Sequence, residues 1–249
     1  MTMPDVEIRP SAYGTAFPLA WVAGYVDAVG FLTLAGLFVA HMSGNTVRLG
    51  VFVGGGDWSL AAQRFVPIVV FVLGVVAGVA LIEALRRRST PAPARVLGVE
   101  AALLLVFMLA GRAVLGSDSA PAGSWDYYLL GSVAVLAMAL QNVALRRVAG
   151  VPIHTTFVTG MLTYVGEEFV HGWYARRDLR RTGAAPHHDD AARVAFRRAR
   201  FHGGVWISYL AGGVIGAFIA LHWDLWSLTL PLGALVVLIA FDARRGTRV

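Results

Sequence analysis

Residues 40–50 read AHMSGNTVRLG and follow directly on an apolar run long enough to begin a membrane crossing. Hydrocarbon solvates none of the His, Ser, Asn, Thr and Arg side chains in this stretch, so each needs a partner inside the protein. Taken as the middle of an unbroken spanning helix, the stretch is costly. Taken as a break, it implies a fold built on interrupted crossings, with irregular backbone buried in protein or lining a cavity.

The rest of the chain supports a membrane setting. Hydrophobic residues make up 57% of it and charged residues only 14%, and the mean hydropathy is +0.65. That composition excludes an ordinary water-soluble domain. Runs at 65–85, 96–115 and 225–241 approach or exceed the roughly 20 apolar residues that a spanning helix needs. Such runs extend through all 249 residues, which predicts a single all-α integral membrane domain, 1–249. The chain has no Cys, which excludes disulfides, thiolate nucleophiles and Cys-based metal sites. The opening MTMPDVEIRPSAY lacks the basic n-region of a signal peptide, so the first hydrophobic segment is expected to be retained.

All 21 basic residues are Arg and the pI is near 10.3, but their placement points to membrane topology, not to nucleic acid. Eight segments are apolar or semi-polar: 15–40, 43–56, 65–85, 96–115, 125–145, 153–173, 203–221 and 225–241. The second, SGNTVRLGVFVGGG, is too short to cross; the sixth carries His154, four Thr, Glu167, Glu168 and His171. Both read as partial or re-entrant. If they do not cross, six transmembrane helices remain and 18 of the 21 Arg fall on one side, leaving only Arg48, Arg64 and Arg112 elsewhere. By the positive-inside rule that side is the cytoplasm, and both termini lie in it. If all eight crossed, the Arg86–Arg88 cluster with Arg95, and the Arg146–Arg147 pair, would be misplaced. Trp58, Trp125, Trp223 and Trp226 then form an outer aromatic belt.

This topology divides the chain into halves of the same order but opposite direction, about 15–115 and 125–241. Ala35-Gly36, Ser43-Gly44 and Gly50 in the first recur as Ala149-Gly150, Thr159-Gly160 and Gly166 in the second. Gly74-x-x-x-Gly78 is matched by Gly212-x-x-x-Gly216, both in the small-xxx-small form of close helix packing. Two inverted-topology repeats are therefore expected, with an Arg-rich cytoplasmic loop at 174–200.

The stretches GYVDAVGFLTLAGLFVAHMSGNTVRLG, 24–50, and LQNVALRRVAGVPIHTTFVTGMLTYVGE, 140–167, resemble the two signature regions of the YoaK-like family of bacterial membrane proteins. The resemblance extends from Thr15 to Phe241. It implies a six-helix inner-membrane protein of a family whose activity is largely uncharacterised, and it supplies no substrate or catalytic residue.

Candidate pathway residues come from the breaks and from polar groups in the crossings. Ser43 or Asn45, with Thr46 beside them, could cap a half-helix in the first break; Thr155, Thr156 and Thr159 could do so in the second. Capping and packing of a hairpin explain the same residues. Asp27 is the sharpest residue. A charge at a helix centre costs about 2.5–3.5 kcal/mol on insertion scales, so this side chain is expected to be paired, protonated or facing a cavity. It either serves a pathway or pins two helices. Asn142, with Gln141, holds the corresponding place in the fifth segment. His154 belongs to the proton-coupling class of residue or is hydrogen-bonded structure, and Glu167 faces either a cavity or the interface. The His187-His188-Asp189-Asp190 run has metal-ligand chemistry but reads as a solvated charged loop.

The expected function is a small-solute or ion transporter or channel, with a proton as the coupling ion that Asp27 and Glu167 suggest. No phosphate-binding loop is present, so transport would be secondary or passive. Expected partners are membrane lipids, which the clustered Arg could bind through anionic headgroups, and an unidentified solute; homo-oligomers are left open, and no cofactor or metal is expected. The rival is a non-transporting scaffold or lipid-binding protein. An intramembrane enzyme built on His41 and Ser43 ranks below both, because two residues two positions apart need not face each other.

Overall fold

The computed structural model describes residues 10–88, 92–148, 158–182 and 186–246. Their regular structure is all helix, with no strand among them: α1 (Pro10–Thr33), α2 (Met42–Gly54), α3 (Trp58–Arg87), α4 (Ala92–Leu115), α5 (Trp125–Val148), α6 (Val158–Thr182), α7 (Pro186–Trp223), a 3-10 turn (Asp224–Leu228) and α8 (Thr229–Gly246). Stretches long and apolar enough to cross a membrane are Ala12–Thr33, Trp58–Arg87, Ala94–Leu115, Trp125–Ala144 and Asp190–Asp242; the last runs through most of α7, the 3-10 turn and into α8. The outward faces suit lipid. Val69, Val72, Leu73, Val76 and Val79 of α3 are all exposed, as are Ile207, Leu210, Val214 and Phe218 of α7. Apolar stripes of that extent are not left open to water. The four belt Trp residues are exposed at helix ends or in the 3-10 turn.

Hydrogen bonds and one ion pair gather alternate helix ends at one end of the bundle. Ala120 N–H, between α4 and α5, donates to the Thr33 carbonyl at the end of α1 (2.8 Å). Arg112 near the end of α4 meets Asp224 after α7 (3.3 Å), and the Tyr25 hydroxyl of α1 donates to the Ser227 carbonyl in the 3-10 turn (2.9 Å). At the other end Tyr13 and Phe17 of α1 pack on Phe201 of α7.

Two pairs of helices supply much of the packing. α7 lies along α1 and α3 along α5, while α2 packs on α3 and α6 on α7. The α1–α7 approach is backbone to backbone: a Cβ on Gly24 would overlap the Tyr209 carbonyl oxygen, and one on Gly212 the Trp21 carbonyl oxygen. At the α3–α5 crossing the glycines admit side chains instead, with Gly74 against Ala139 and Gly78 against Leu140. The two small-xxx-small motifs thus each sit at a crossing between the halves.

The short second segment is α2, 13 residues or about 20 Å of helix. No side chain caps its start after His41, which departs from the capping expected of Ser43 or Asn45. α2 and α6 begin in the same register, with Ser43-Gly44 and Thr159-Gly160 at their second and third positions. They do not pack on each other; each rests on its own long neighbour. The Arg-rich stretch 174–200 is not a loop. α6 continues to Thr182 and α7 starts at Pro186, so nearly all of it is helix. Proline at the first helical position, where its missing N–H is no loss, starts α7 cleanly. The extension is stitched by Glu168–Arg198 (3.6 Å) and by the Arg176 guanidinium over the Phe196 ring, 4.5 Å from its centroid.

Candidate functional site

Among the described residues, the segment between α1 and α2, 34–41, is irregular backbone that is largely buried: Leu34, Leu37, Val39 and Ala40 are all out of contact with solvent or lipid. α1 ends where Ala35 takes φ 46° and Gly36 φ 72°, with the Gly36 N–H donating back to the Phe31 carbonyl (2.9 Å). Glycine at the second of these left-handed positions is conformationally required. The carbonyls and amides this turn frees must find partners within the protein.

They find them in polar side chains on three helices. Arg64 of α3, only 2% exposed, donates from Nη2 to the Ala35 carbonyl (2.8 Å) and from Nη1 to the Tyr127 hydroxyl of α5 (3.4 Å). That hydroxyl in turn donates to the Gln63 carbonyl (2.8 Å). Arg48 of α2 donates to the Gly36 carbonyl. Asn45 of α2 binds Phe38 twice, accepting from its N–H (3.3 Å) and donating to its carbonyl (2.6 Å). Asp27 of α1 closes the far end: its Oδ1 accepts from the Ala40 N–H (2.8 Å) and its Oδ2 from the Tyr209 hydroxyl of α7 (2.6 Å).

Asp27, 3% exposed, also lies on the wall of a cavity of about 520 Å³ between α1, α7, the 34–41 turn and the start of α6. Apart from Asp27 and Tyr209 its lining is apolar, with Phe31, Phe38, Trp206 and Leu210 prominent. Val158, the first residue of α6, completes it. Phe38 of the turn and Val158 at the start of α6 thus line the same cavity, while residues 149–157 lie outside the described residues.

The other residues singled out in the sequence are dispersed. Ser43, Thr46, Thr159 and Glu167 are exposed, and the Thr46 hydroxyl donates to the Met42 carbonyl one turn back (2.9 Å). Asn142 is buried in α5 and donates to the Met138 carbonyl (2.9 Å), while its neighbour Gln141 donates to the Leu19 carbonyl of α1 (2.6 Å); neither lines the cavity. His154, Thr155 and Thr156 lie outside the described residues, as do the side chains of His187, His188 and Asp189. The His41 ring stands edge-on to Phe38, with centroids 6.0 Å apart.

Four polar residues of weight were not anticipated. Tyr209 resembles any aromatic of a spanning helix until α7 is laid on α1. Arg48 and Arg64 were noted only as exceptions to the positive-inside distribution, and that exception was the signal. Glu100 of α4 is fully buried, and neither carboxyl oxygen has a hydrogen-bond partner among the described residues. It could have been found by the rule that picked Asp27, since it too is an acid inside an apolar run.

Comparison with known proteins returns one family and two curated relatives. A family model described as protein of unknown function (DUF1275) matches residues 15–241. The chain is 26% identical over 153 residues to the UPF0700 transmembrane protein YoaK of Bacillus subtilis (strain 168), covering 60% of this chain and 64% of that protein. It is 32% identical over 163 residues to the UPF0700 transmembrane protein RA0705 of Rhizobium meliloti (strain 1021), covering 65% of this chain and 64% of that protein. The chain thus spans just under two thirds of the length of these relatives. No solved structure matches.

Proposed function

The chain belongs to the DUF1275 family, and from that premise we propose that it moves a small solute or ion across the membrane by secondary transport, with Asp27 as the group that binds and releases the coupling proton. The observation that carries this reading is the position of Asp27. A carboxyl group buried in a spanning helix borders a 520 Å³ cavity and is held by two elements at once, the Ala40 amide of the broken segment and the Tyr209 hydroxyl of α7. A carboxylate accepts both of those hydrogen bonds; the acid form needs one of its oxygens as a donor. Loading a proton on Oδ2 therefore reverses the bond to Tyr209, the acid now donating to the phenol oxygen while Oδ1 keeps the Ala40 N–H, so the protonation state of Asp27 is read at its contact with α7.

The proposed frame is six crossings of the inner membrane with both termini cytoplasmic, built as two inverted repeats. Several features support it. Alternate helix ends collect at one end of the bundle, α2 and α6 start in the same register, and α7 packs on α1 as α3 packs on α5. In that frame 18 of the 21 Arg fall on one side, which supports the orientation by the positive-inside rule. The second reading, a scaffold or lipid-binding protein, is favoured by the outward position of Ser43, Thr46, Thr159 and Glu167 and by the full engagement of Asn45 with the backbone of Phe38.

A solute-flux screen in proteoliposomes, with and without a pH gradient, decides between them. The transport reading expects flux of at least one solute that responds to the gradient and is lost in Asp27→Asn. Tight vesicles that move nothing under any gradient support the scaffold.

A further inference from the structure

We infer that the cavity beside Asp27 binds a hydrophobic organic cation, reached from the lipid and not from water. The inference rests on Asp27 being the working group of the proposed transporter and adds the class of its substrate. Its first support is the wall chemistry. The cavity offers one carboxylate, one phenol and the Trp206 indole in a lining that is otherwise apolar. An inorganic cation such as Na⁺ or Ca²⁺ takes its ligands from many oxygens, and a sugar or amino acid needs several polar contacts; neither finds them here. An anion meets only the carboxylate. A cation whose charge is spread over an apolar body asks for little else, and four aromatic residues in the lining, Phe31, Phe38, Trp206 and Tyr209, suit such a body.

Access and size are the second support. Phe31, Leu210 and Val214 line the cavity and are also 42%, 48% and 61% exposed on the bundle's outer face. A solute already dissolved in the bilayer reaches Asp27 past these side chains without crossing a polar vestibule. A volume of about 520 Å³ falls in the range of about 300–1,000 Å³ typical of sites for compact organic ligands. Asp27 also gives the exchange its logic: a proton and an organic cation compete for one carboxylate, so binding one expels the other. The other titratable groups bearing on Asp27 are Tyr209 from α7 and His41 from the segment before α2.

Tetraphenylphosphonium and tetraphenylborate test this directly, being near-identical in shape and opposite in charge. Binding is measured by equilibrium dialysis on the purified full chain in detergent at two pH values. The inference expects saturable binding of the phosphonium, weaker at the lower pH, with the borate unbound. Asp27→Asn should weaken phosphonium binding at least tenfold while leaving the unfolding temperature unchanged, and Ala217→Trp, which narrows the cavity with Asp27 intact, should weaken it as well. Equal binding of both ions, or undiminished phosphonium binding in Asp27→Asn, would mark an acyl-chain groove and overturn the inference. Proton-linked flux of another solute by protein that binds no phosphonium would overturn it too, yet leave the transport reading standing. Phosphonium binding with no flux of any solute would instead remove transport and keep the site.

Discussion

At Ala35 and Gly36 the turn after α1 presents carbonyl oxygens to two guanidinium groups, whereas at Ala40 it presents an N–H to a carboxylate. The two ends face the same physical problem, irregular backbone packed inside the protein, and solve it with opposite charges. They differ in what else is nearby. Arg64 is closed in by the turn, Tyr127 and Gln63, while Asp27 borders a cavity. On the proposed transport reading, the difference separates the polar residues that hold this fold from the one that acts on a solute. The cationic end should matter chiefly to stability, and the anionic end chiefly to flux.

The largest stability effect should come at the cationic end. Arg64→Met leaves the half-buried Ala35 carbonyl without this donor and should cost about 1–3 kcal/mol, read as a loss of resistance to unfolding in detergent, while Arg64→Lys recovers part of it. Asn45→Ala removes both hydrogen bonds to Phe38 and should cost about 1–2 kcal/mol. If either variant unfolds like the parent yet abolishes flux, the division of labour between the two ends is wrong. Tyr209→Phe takes one donor from Asp27 and should cost about 1 kcal/mol; flux should persist but with altered pH dependence, because the carboxyl group keeps its place beside the cavity.

Much of this architecture was legible in the sequence. The polar residues of 40–50 point to a break there and leave the first segment at 15–40; α1 ends earlier, at Thr33, the irregular backbone is 34–41, and SGNT already lies in the first turn of α2. Asp27 stood out because an acid in an apolar run is expensive wherever it ends up. The convergence of Arg48, Arg64 and Tyr127 was not legible, because it depends on α2, α3 and α5 meeting at one turn, a tertiary fact that periodicity does not carry. Tyr209 was hidden for the same reason. The helical extension through 174–200 was legible and passed over: Ala, Arg and Leu are good helix formers, and Ala192 and Ala195 are the buried positions at its inner face. High charge does not by itself mean absence of structure.

Asp27→Asn should have the smallest effect on stability of these changes, within about 0.5 kcal/mol, since the amide oxygen still accepts from the Ala40 N–H and the shape is kept. It is also the most direct test of the central claim. Wild-type protein and Asp27→Asn would be reconstituted at equal density, and flux measured against a pH gradient for whichever solute the wild type carries. The account predicts that the variant folds and inserts normally and loses gradient-driven flux. Full, pH-dependent flux through Asp27→Asn would contradict it.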